Sequence, residues 1–463
     1  MASCHSASGR VTRSSCVGVV TTTHPSGLAT RAPAGEAGGV RHRRRPLARL
    51  HPAAAVVALG LVVAGCAGGA DDEAGPGSQG PTATEALPAP SSPSDAPTSS
   101  VTGGAPALPA ALAAGHALSG TPGAATDVVT GLDVPWAVAV LPDGTALVSE
   151  RDTARVLRVD GSGGGWAAAQ VVATGPDGAV PGVEPRGEGG LLGLAVSPGF
   201  AEDGYVYAYL TTADDDRVVR MRLTGASPGS LSEPEPVLTG IRSATVHHGG
   251  RLAFGPDGML YVTTGDASAP STAQDTAALT GKVLRLTPDG QPAPGNPVEG
   301  SPVWTHGHRN PQGVGWDADG RMFAAEFGQD AQDELNLLEP GRDYGWPLVE
   351  GFVPGPDGSQ ADVDDPALTA PLLAWATAEA SPSGLLVTAD AVYVAALRGQ
   401  RLWRVPLAGG VLGQPEALLA GEHGRIRDVV AAPDGGALWV LTNNTSRGAG
   451  NPGDDRVLRV PLA

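Results

Sequence analysis

The segment His247-His-Gly-Gly-Arg251 sets two imidazoles and a guanidinium at the mouth of an apolar run, Leu252-Ala-Phe254. A histidine fixed where a strand begins can act as a general base near neutral pH, because imidazole changes charge in that range. His247 is the candidate. His248, one residue on, points away from it if the run is extended, and carries no assigned role. Four other polar motifs also occur once each. They are Gly187-Glu-Gly-Gly-Leu-Leu-Gly193, His306-Gly-His-Arg-Asn-Pro-Gln-Gly313, Gly424-Arg-Ile-Arg-Asp428, and Glu326 to Asn336 together with Tyr344-Gly-Trp-Pro347. Arg425 and Arg427, two apart, face one side of a strand if extended, and paired guanidiniums suit carboxylates. Lys282 is the sole lysine in a chain of formal net charge −18, so anion binding must rely on arginine. Such a surface repels nucleic acid and anionic membranes.

The elements that must carry these motifs repeat along the chain. A turn of the Pro-Asp-Gly kind, an apolar strand and a second strand recur: Leu141-Pro-Asp-Gly144 with Ala146-Leu-Val148 and Val156-Leu-Arg-Val159; Phe254-Gly-Pro-Asp-Gly258 with Leu260-Tyr-Val262 and Val283-Leu-Arg-Leu286; Ala432-Pro-Asp-Gly435 with Leu438-Trp-Val-Leu441 and Val457-Leu-Arg-Val460. Three further units, around Leu194, Gly315 and Leu385, complete six. Each unit reads as an antiparallel meander whose two apolar faces need covering by neighbours. Packing the units around an axis covers them, giving an all-β, six-bladed β-propeller of four-stranded antiparallel blades over 124–463. A β-sandwich or β-helix is the competing all-β arrangement. Asp127-Val-Val129 is placed to add a strand to the last blade and close the ring. No long amphipathic helix is evident.

The N-terminal part has a different character. Arg41, Arg43, Arg44, Arg45 and Arg49 precede the apolar stretch Ala53–Ala64, and Val63-Ala64-Gly65-Cys66 matches a bacterial lipobox. Residues 41–65 therefore read as a lipoprotein signal peptide, with Cys66 acylated and anchored to the membrane outside the cytoplasm. The apolar run is too short to favour a permanent span. Residues 1–40 are a leader of doubtful reality, and 66–123, rich in Pro, Ser, Thr, Gly and Ala, read as a disordered tether. With Cys4 and Cys16 in the leader, one cysteine remains beyond it, which leaves no disulfide framework.

The five motifs, in this order from about Thr126 to the C-terminus, resemble the soluble pyrroloquinoline quinone (PQQ)-dependent aldose sugar dehydrogenases, the glucose/sorbosone dehydrogenase family. The resemblance implies oxidation of aldoses to lactones. His247 would be the base, and Glu188 a pocket residue contacting sugar or His247. Arg309 and Asn310 would face the reactive quinone oxygens, with Arg309 stabilising the charge that develops there. Arg398, Arg425 and Arg427 would hold the cofactor carboxylates. It also implies Ca2+, taken by the carbonyls of Gly328 and Gln329, with Asp333, Glu334 and Tyr344 at that or a nearby calcium. Some relatives carry an acidic residue before the catalytic histidine to orient it. Val246 stands there in this chain, so the partner of the imidazole is open. Electrons leave to an external acceptor that the sequence does not name. A non-redox binding module and a calcium-dependent sugar lactonase are the alternatives. The loop from Trp346 to Pro382, with Phe352 and Trp375 as its aromatics, is expected to set substrate choice, and its shortness implies an open pocket.

Overall fold

The structure, a computed structural model, describes residues 108–463 apart from 161–169, 174, 358–361 and 448–453. The leader, the signal peptide, Cys66 and the tether up to residue 107 lie outside the described residues. No helix among the described residues is long and apolar enough to cross a membrane.

Six antiparallel sheets follow one another along the chain. Their inner strands are Pro135–Val140, Leu191–Val196, Leu252–Phe254, Pro311–Trp316, Pro382–Val387 and Ile426–Ala431, in blades 1 to 6. Each leads through a tight turn into a second strand such as Thr145–Glu150, Ala391–Ala396 or Ala437–Thr442, every residue of which is buried. These strands are buried on both faces because each blade is sandwiched between two neighbours. That is why they read as runs rich in Val, Leu and Ala. The Pro-Asp-Gly turns use glycine where φ is positive, +74° at Gly258 for example, and Asp257 accepts from the Met259 N–H.

An apolar layer fills the space between neighbouring blades. Val138 and Val148 meet Trp439 and Leu441 where blade 1 follows blade 6, and Phe323 and Ala325 meet Val392 and Val394 between blades 4 and 5. Fully burying a Leu or Val is worth about 1.5–3 kcal/mol. Near the axis the inner strands come too close for side chains. A Cβ on Gly384 would lie 2.0 Å from an Asp428 oxygen, and one on Gly193 would lie 2.2 Å from the Gly250 carbonyl.

The ring closes as the sequence implied. Thr126–Leu132 pairs antiparallel with Asp455–Pro461, making the N-terminal strand the outer strand of blade 6. The tether boundary is corrected: within 66–123, residues Ala110–His116 form a helix. Leu112 packs beside Trp316 and Met322, and Leu118 is buried beside Tyr393 and Leu438. His116 Nε2 donates to the Trp316 carbonyl at 2.7 Å, and Thr121 and Gly123 donate to Ala463 and Pro461. Composition averaged over the whole tether concealed these leucines. A second correction concerns Trp375. It lies in the outer strand Leu373–Ala376 of blade 4, buried and stacked on Trp403 at 5.8 Å, so it cannot line a substrate pocket. That strand is short and one of its faces is half-exposed, which hid it in the sequence.

Candidate active site

Because strands alternate in direction within a blade, two kinds of connection open at the same end of the propeller. One enters an inner strand, and the other joins the second strand to the third. Glu188, His247, Arg309 and Arg425 lie on the first kind; Asp266, Gly328 and Arg398 lie on the second. At this end five inner strands carry β-bulges, at Pro135/Ala137, Leu191/Leu194, Pro311/Gly313, Pro382/Leu385 and Ile426/Asp428. A bulge inserts an unpaired residue and re-aims its side chain. Four of these residues, from blades 1, 4, 5 and 6, meet one another. Arg427 Nη1 donates to Gln312 Oε1 at 2.8 Å and to Ser383 Oγ at 3.2 Å, and its guanidinium lies 5.5 Å from the Trp136 ring centroid. Side chains from blades so far apart can meet only near the axis.

Arg427 therefore sits where the sequence placed it, but by a different route. The strand starts at Ile426 and Arg427 occupies its bulge, so simple alternation with Arg425 does not apply. Burial holds the Arg427 guanidinium well below its usual range. Arg151, Arg425 and Arg251 add repulsion, and Glu188 partly offsets it. Arg251 crosses beneath, donating to the Gln312 carbonyl at 2.8 Å and to Asp428 at 3.0 Å. Among the described residues, Arg427 Nε, Arg309 Nε and Arg251 Nη2 are buried without a hydrogen-bond partner. Buried cations with idle N–H groups are costly unless an anion completes them. Arg398 is exposed on its turn.

The imidazole of His247 has a partner that the sequence left open. Nδ1 donates to Asp266 Oδ1 at 2.7 Å, and Asp266 is fully buried. Asp266 ends the Thr263-Thr-Gly-Asp266 segment after the second strand of blade 3, a position that faces the same end as His247. Its Oδ1 also accepts from the Ser268 N–H, and its Oδ2 accepts from Trp346 Nε1, both at 2.9 Å. His247 adopts φ = +62°, uncommon for a residue with a Cβ. Its N–H donates to Glu188 Oε2 at 3.3 Å and its carbonyl accepts from Ala267 at 3.2 Å, which holds that conformation. The run is thus not extended, yet His248 still diverges. It is buried, with Nδ1 donating to Asp216 Oδ2 at 2.7 Å in a separate niche.

Arg309 and Asn310 follow His308, whose Nδ1 donates to Glu326 at 2.7 Å. The Arg309 guanidinium lies 5.4 Å from the Trp346 ring centroid and donates to the Gly328 carbonyl at 2.8 Å. Burial lowers its pKa. Asn310 is buried and uses its carboxamide oxygen to accept from the Gly249 N–H at 2.9 Å, bracing the His-Gly-Gly-Arg loop.

The residues expected at calcium do not converge. Asp333 accepts from the N–H groups of Gly328 and Ser381, and burial raises it to about 6. Glu334 accepts from Gly351 N and Asn336 Nδ2; burial, with Glu326 directly opposite across the strands, raises it to about 8. The Tyr344 hydroxyl donates to the Leu337 carbonyl and accepts from the Glu339 N–H, with its ring stacked on His308. Gln329 to Gln332 wrap their N–H groups around Glu350 Oε1. Among the described residues, no group of three or more His, Cys, Asp or Glu side chains is arranged to hold a metal. The remaining oxygen donors of the predicted set are backbone carbonyls, that of Gly328, which also accepts from Arg309 Nη1, and that of Gln329.

The arrangement provides an oriented imidazole and, from several blades, buried guanidiniums that keep N–H groups without partners among the described residues. Comparison with known proteins agrees with that chemistry. The family model described as glucose/sorbosone dehydrogenase matches residues 132–449. The aldose sugar dehydrogenase of Escherichia coli is 29% identical over 345 residues, covering 68% of this chain and 88% of that protein. Quinoprotein glucose dehydrogenase B of Acinetobacter calcoaceticus is 31% identical over 258 residues, 49% of this chain and 52% of that one. The solved structure of the PQQ-bound form of the aldose sugar dehydrogenase from Streptomyces coelicolor is 47% identical, with a TM-score of 0.67, covering 74% of this chain and 99% of that chain. With the family model spanning well over half of its length, the chain belongs to the glucose/sorbosone dehydrogenase family.

Proposed function

We propose that this chain is a PQQ-dependent sugar dehydrogenase that oxidises aldoses at the anomeric carbon to lactones. The observation that carries the reading is the set of buried N–H groups without partners on Arg427, Arg251 and Arg309, the last of which shares Trp346 with the His247–Asp266 pair. PQQ bears three carboxylates, which those N–H groups suit. Arg425 and Arg427 would hold its carboxylates, with Arg398 as a further candidate at the rim. Arg309 and Asn310 would face its quinone oxygens. When bound, the quinone supplies a two-electron acceptor for hydride, and Ca2+ on the carbonyls of Gly328 and Gln329 would strengthen its electron demand.

The chain's own part is to move a proton and fix geometry. Asp266 holds the Nδ1 proton of His247, leaving Nε2 to take the anomeric hydroxyl proton as the C1–H hydride departs. Asp266 then stabilises the imidazolium that forms. Glu188, which accepts from the His247 backbone N–H, would share a hydrogen bond with sugar. Arg309, cation–π stacked on Trp346, opposes the negative charge that accumulates next to it. Within the expected specificity loop, Phe352 is the exposed aromatic, which supports an open site accepting several aldoses. The lipoprotein anchor at Cys66 remains part of this proposal, and the electron acceptor is external.

The test adds PQQ and calcium to purified metal-free protein and follows aldose-dependent dye reduction. Dye reduction should require PQQ, and His247→Ala should abolish it while cofactor absorbance of the bound state persists. Sugar oxidation without PQQ would overturn the mechanism.

A further inference from the structure

Trp346 takes no direct part in the chemistry above, yet it touches both halves of the site. Its side chain is buried, 3% exposed. The indole Nε1–H donates to Asp266 Oδ2 at 2.9 Å, on the carboxylate whose other oxygen holds His247. The ring of the same indole lies beneath the Arg309 guanidinium, 5.4 Å from centroid to Cζ. Backbone bonds tie the two halves as well, since Asp266 N–H donates to the Arg309 carbonyl at 2.8 Å. Trp346 itself is pinned: its N–H donates to the Gly307 carbonyl, and its carbonyl accepts from Gln274 Nε2, both at 2.9 Å.

We infer that Trp346 is a positioning residue that couples the general base to the cofactor-facing guanidinium, acting on His247 through Asp266 and on Arg309 through its ring. The inference rests on the proposed sugar-dehydrogenase reading for its kinetic consequences, but not for its structural ones. The two contacts belong to different parts of one side chain and can be removed separately. Phenylalanine keeps a ring under Arg309 and deletes the N–H. Leucine deletes both.

Without the indole N–H, Asp266 loses one of the three donors that fix it, and its charge concentrates on the bond from His247. The imidazole proton on Nδ1 then resonates further downfield, while the looser carboxylate orients the base less well. Trp346→Phe should therefore lower kcat about tenfold, with sugar KM and PQQ affinity unchanged. Trp346→Leu should add a weakening of PQQ binding of roughly three- to thirtyfold, the range of a cation–π contact.

The experiment uses the purified full chain. Among the described residues, three imidazole N–H groups donate to carboxylates, those of His247, His248 and His308. Their downfield proton signals are recorded in cofactor-free protein, and the His247 signal is assigned by its loss in His247→Ala. In Trp346→Phe the His247 signal alone should move, the other two reporting that the fold is intact. An unmoved His247 signal, or kcat equal to that of the unaltered protein, overturns the inference. So does weakened PQQ binding in Trp346→Phe equal to that in Trp346→Leu. A moved signal combined with full dye reduction in His247→Ala would instead remove the base assignment and leave the coupling standing.

Discussion

Replacing Asp266 with asparagine asks the most of the site, because it changes charge with almost no change in shape. Asp266 accepts from His247 Nδ1 and Ser268 N on one oxygen and from Trp346 Nε1 on the other. Asparagine has one acceptor oxygen. Set toward His247 and Ser268, it leaves its amino group facing the indole N–H. Turned the other way, it opposes two donors, so the first orientation wins and the His247 tautomer survives. The loss is then mainly the charge that stabilises the imidazolium. Exchanging a charge-assisted hydrogen bond for a neutral one loses about 1.5 kcal/mol. Two unit charges about 4 Å apart attract by roughly 4 kcal/mol at an effective dielectric near 20. These values bracket a fall in kcat of about 10- to 1000-fold. Rapid mixing of the PQQ-loaded protein with sugar, following bleaching of the cofactor, isolates this step from dye turnover. A rate constant for Asp266→Asn within about threefold of the unaltered protein would refute the role given to Asp266, since that is under 1 kcal/mol.

Two further outcomes follow from buried charges elsewhere. Glu334 is raised to about 8 in the fold from an ordinary 4.5, so between those values the folded state binds more protons than the unfolded one, and stability falls as pH rises. Glu334→Gln should flatten that decline in melting temperature between pH 5 and 8; an unchanged slope would contradict it. Lys282 is buried with Nζ donating to the carbonyls of Thr272, Ala273 and Thr280, and burial lowers it from 10.5 to about 8. The unfolded state therefore binds more protons between those values, and stability gains with pH there. Lys282→Met should abolish that gain and speed amide exchange across 266–281, measured by mass spectrometry.

The repeating turns and apolar strands made the propeller legible, because each blade must bury both faces and the chain shows it in Val, Leu and Ala. Ring closure by residues near Asp127 was legible for the same reason. The candidate site was marked in the sequence by motifs that occur once, and the structure puts His247, Arg309 and Arg427 on loops or strand starts at one end of the propeller. The part Asp266 plays escaped notice because this residue is one of many aspartates outside the strands, and nothing in its neighbours ties it to His247. Its role appears only when the loops of blade 3 are folded onto one end. Gln312 and Ser383 were hidden because a bulge adds one residue to a strand and leaves no mark in composition. The resemblance pointed to Asp333, Glu334 and Tyr344 at calcium; in the structure Asp333 and Tyr344 bond to backbone groups, and Glu334 to the Gly351 N–H and the Asn336 side chain. The helix Ala110–His116 was lost in an average over a tether rich in Pro, Ser and Ala.

The central claim is that arginines on the propeller axis grip a tricarboxylate beside His247. Equilibrium titration of PQQ into the unaltered protein and into Arg427→Gln tests it most directly. The account predicts one equivalent bound per chain and at least about tenfold weaker binding in the variant, the loss of a charge-assisted pair. Equal affinities for the two proteins would contradict it.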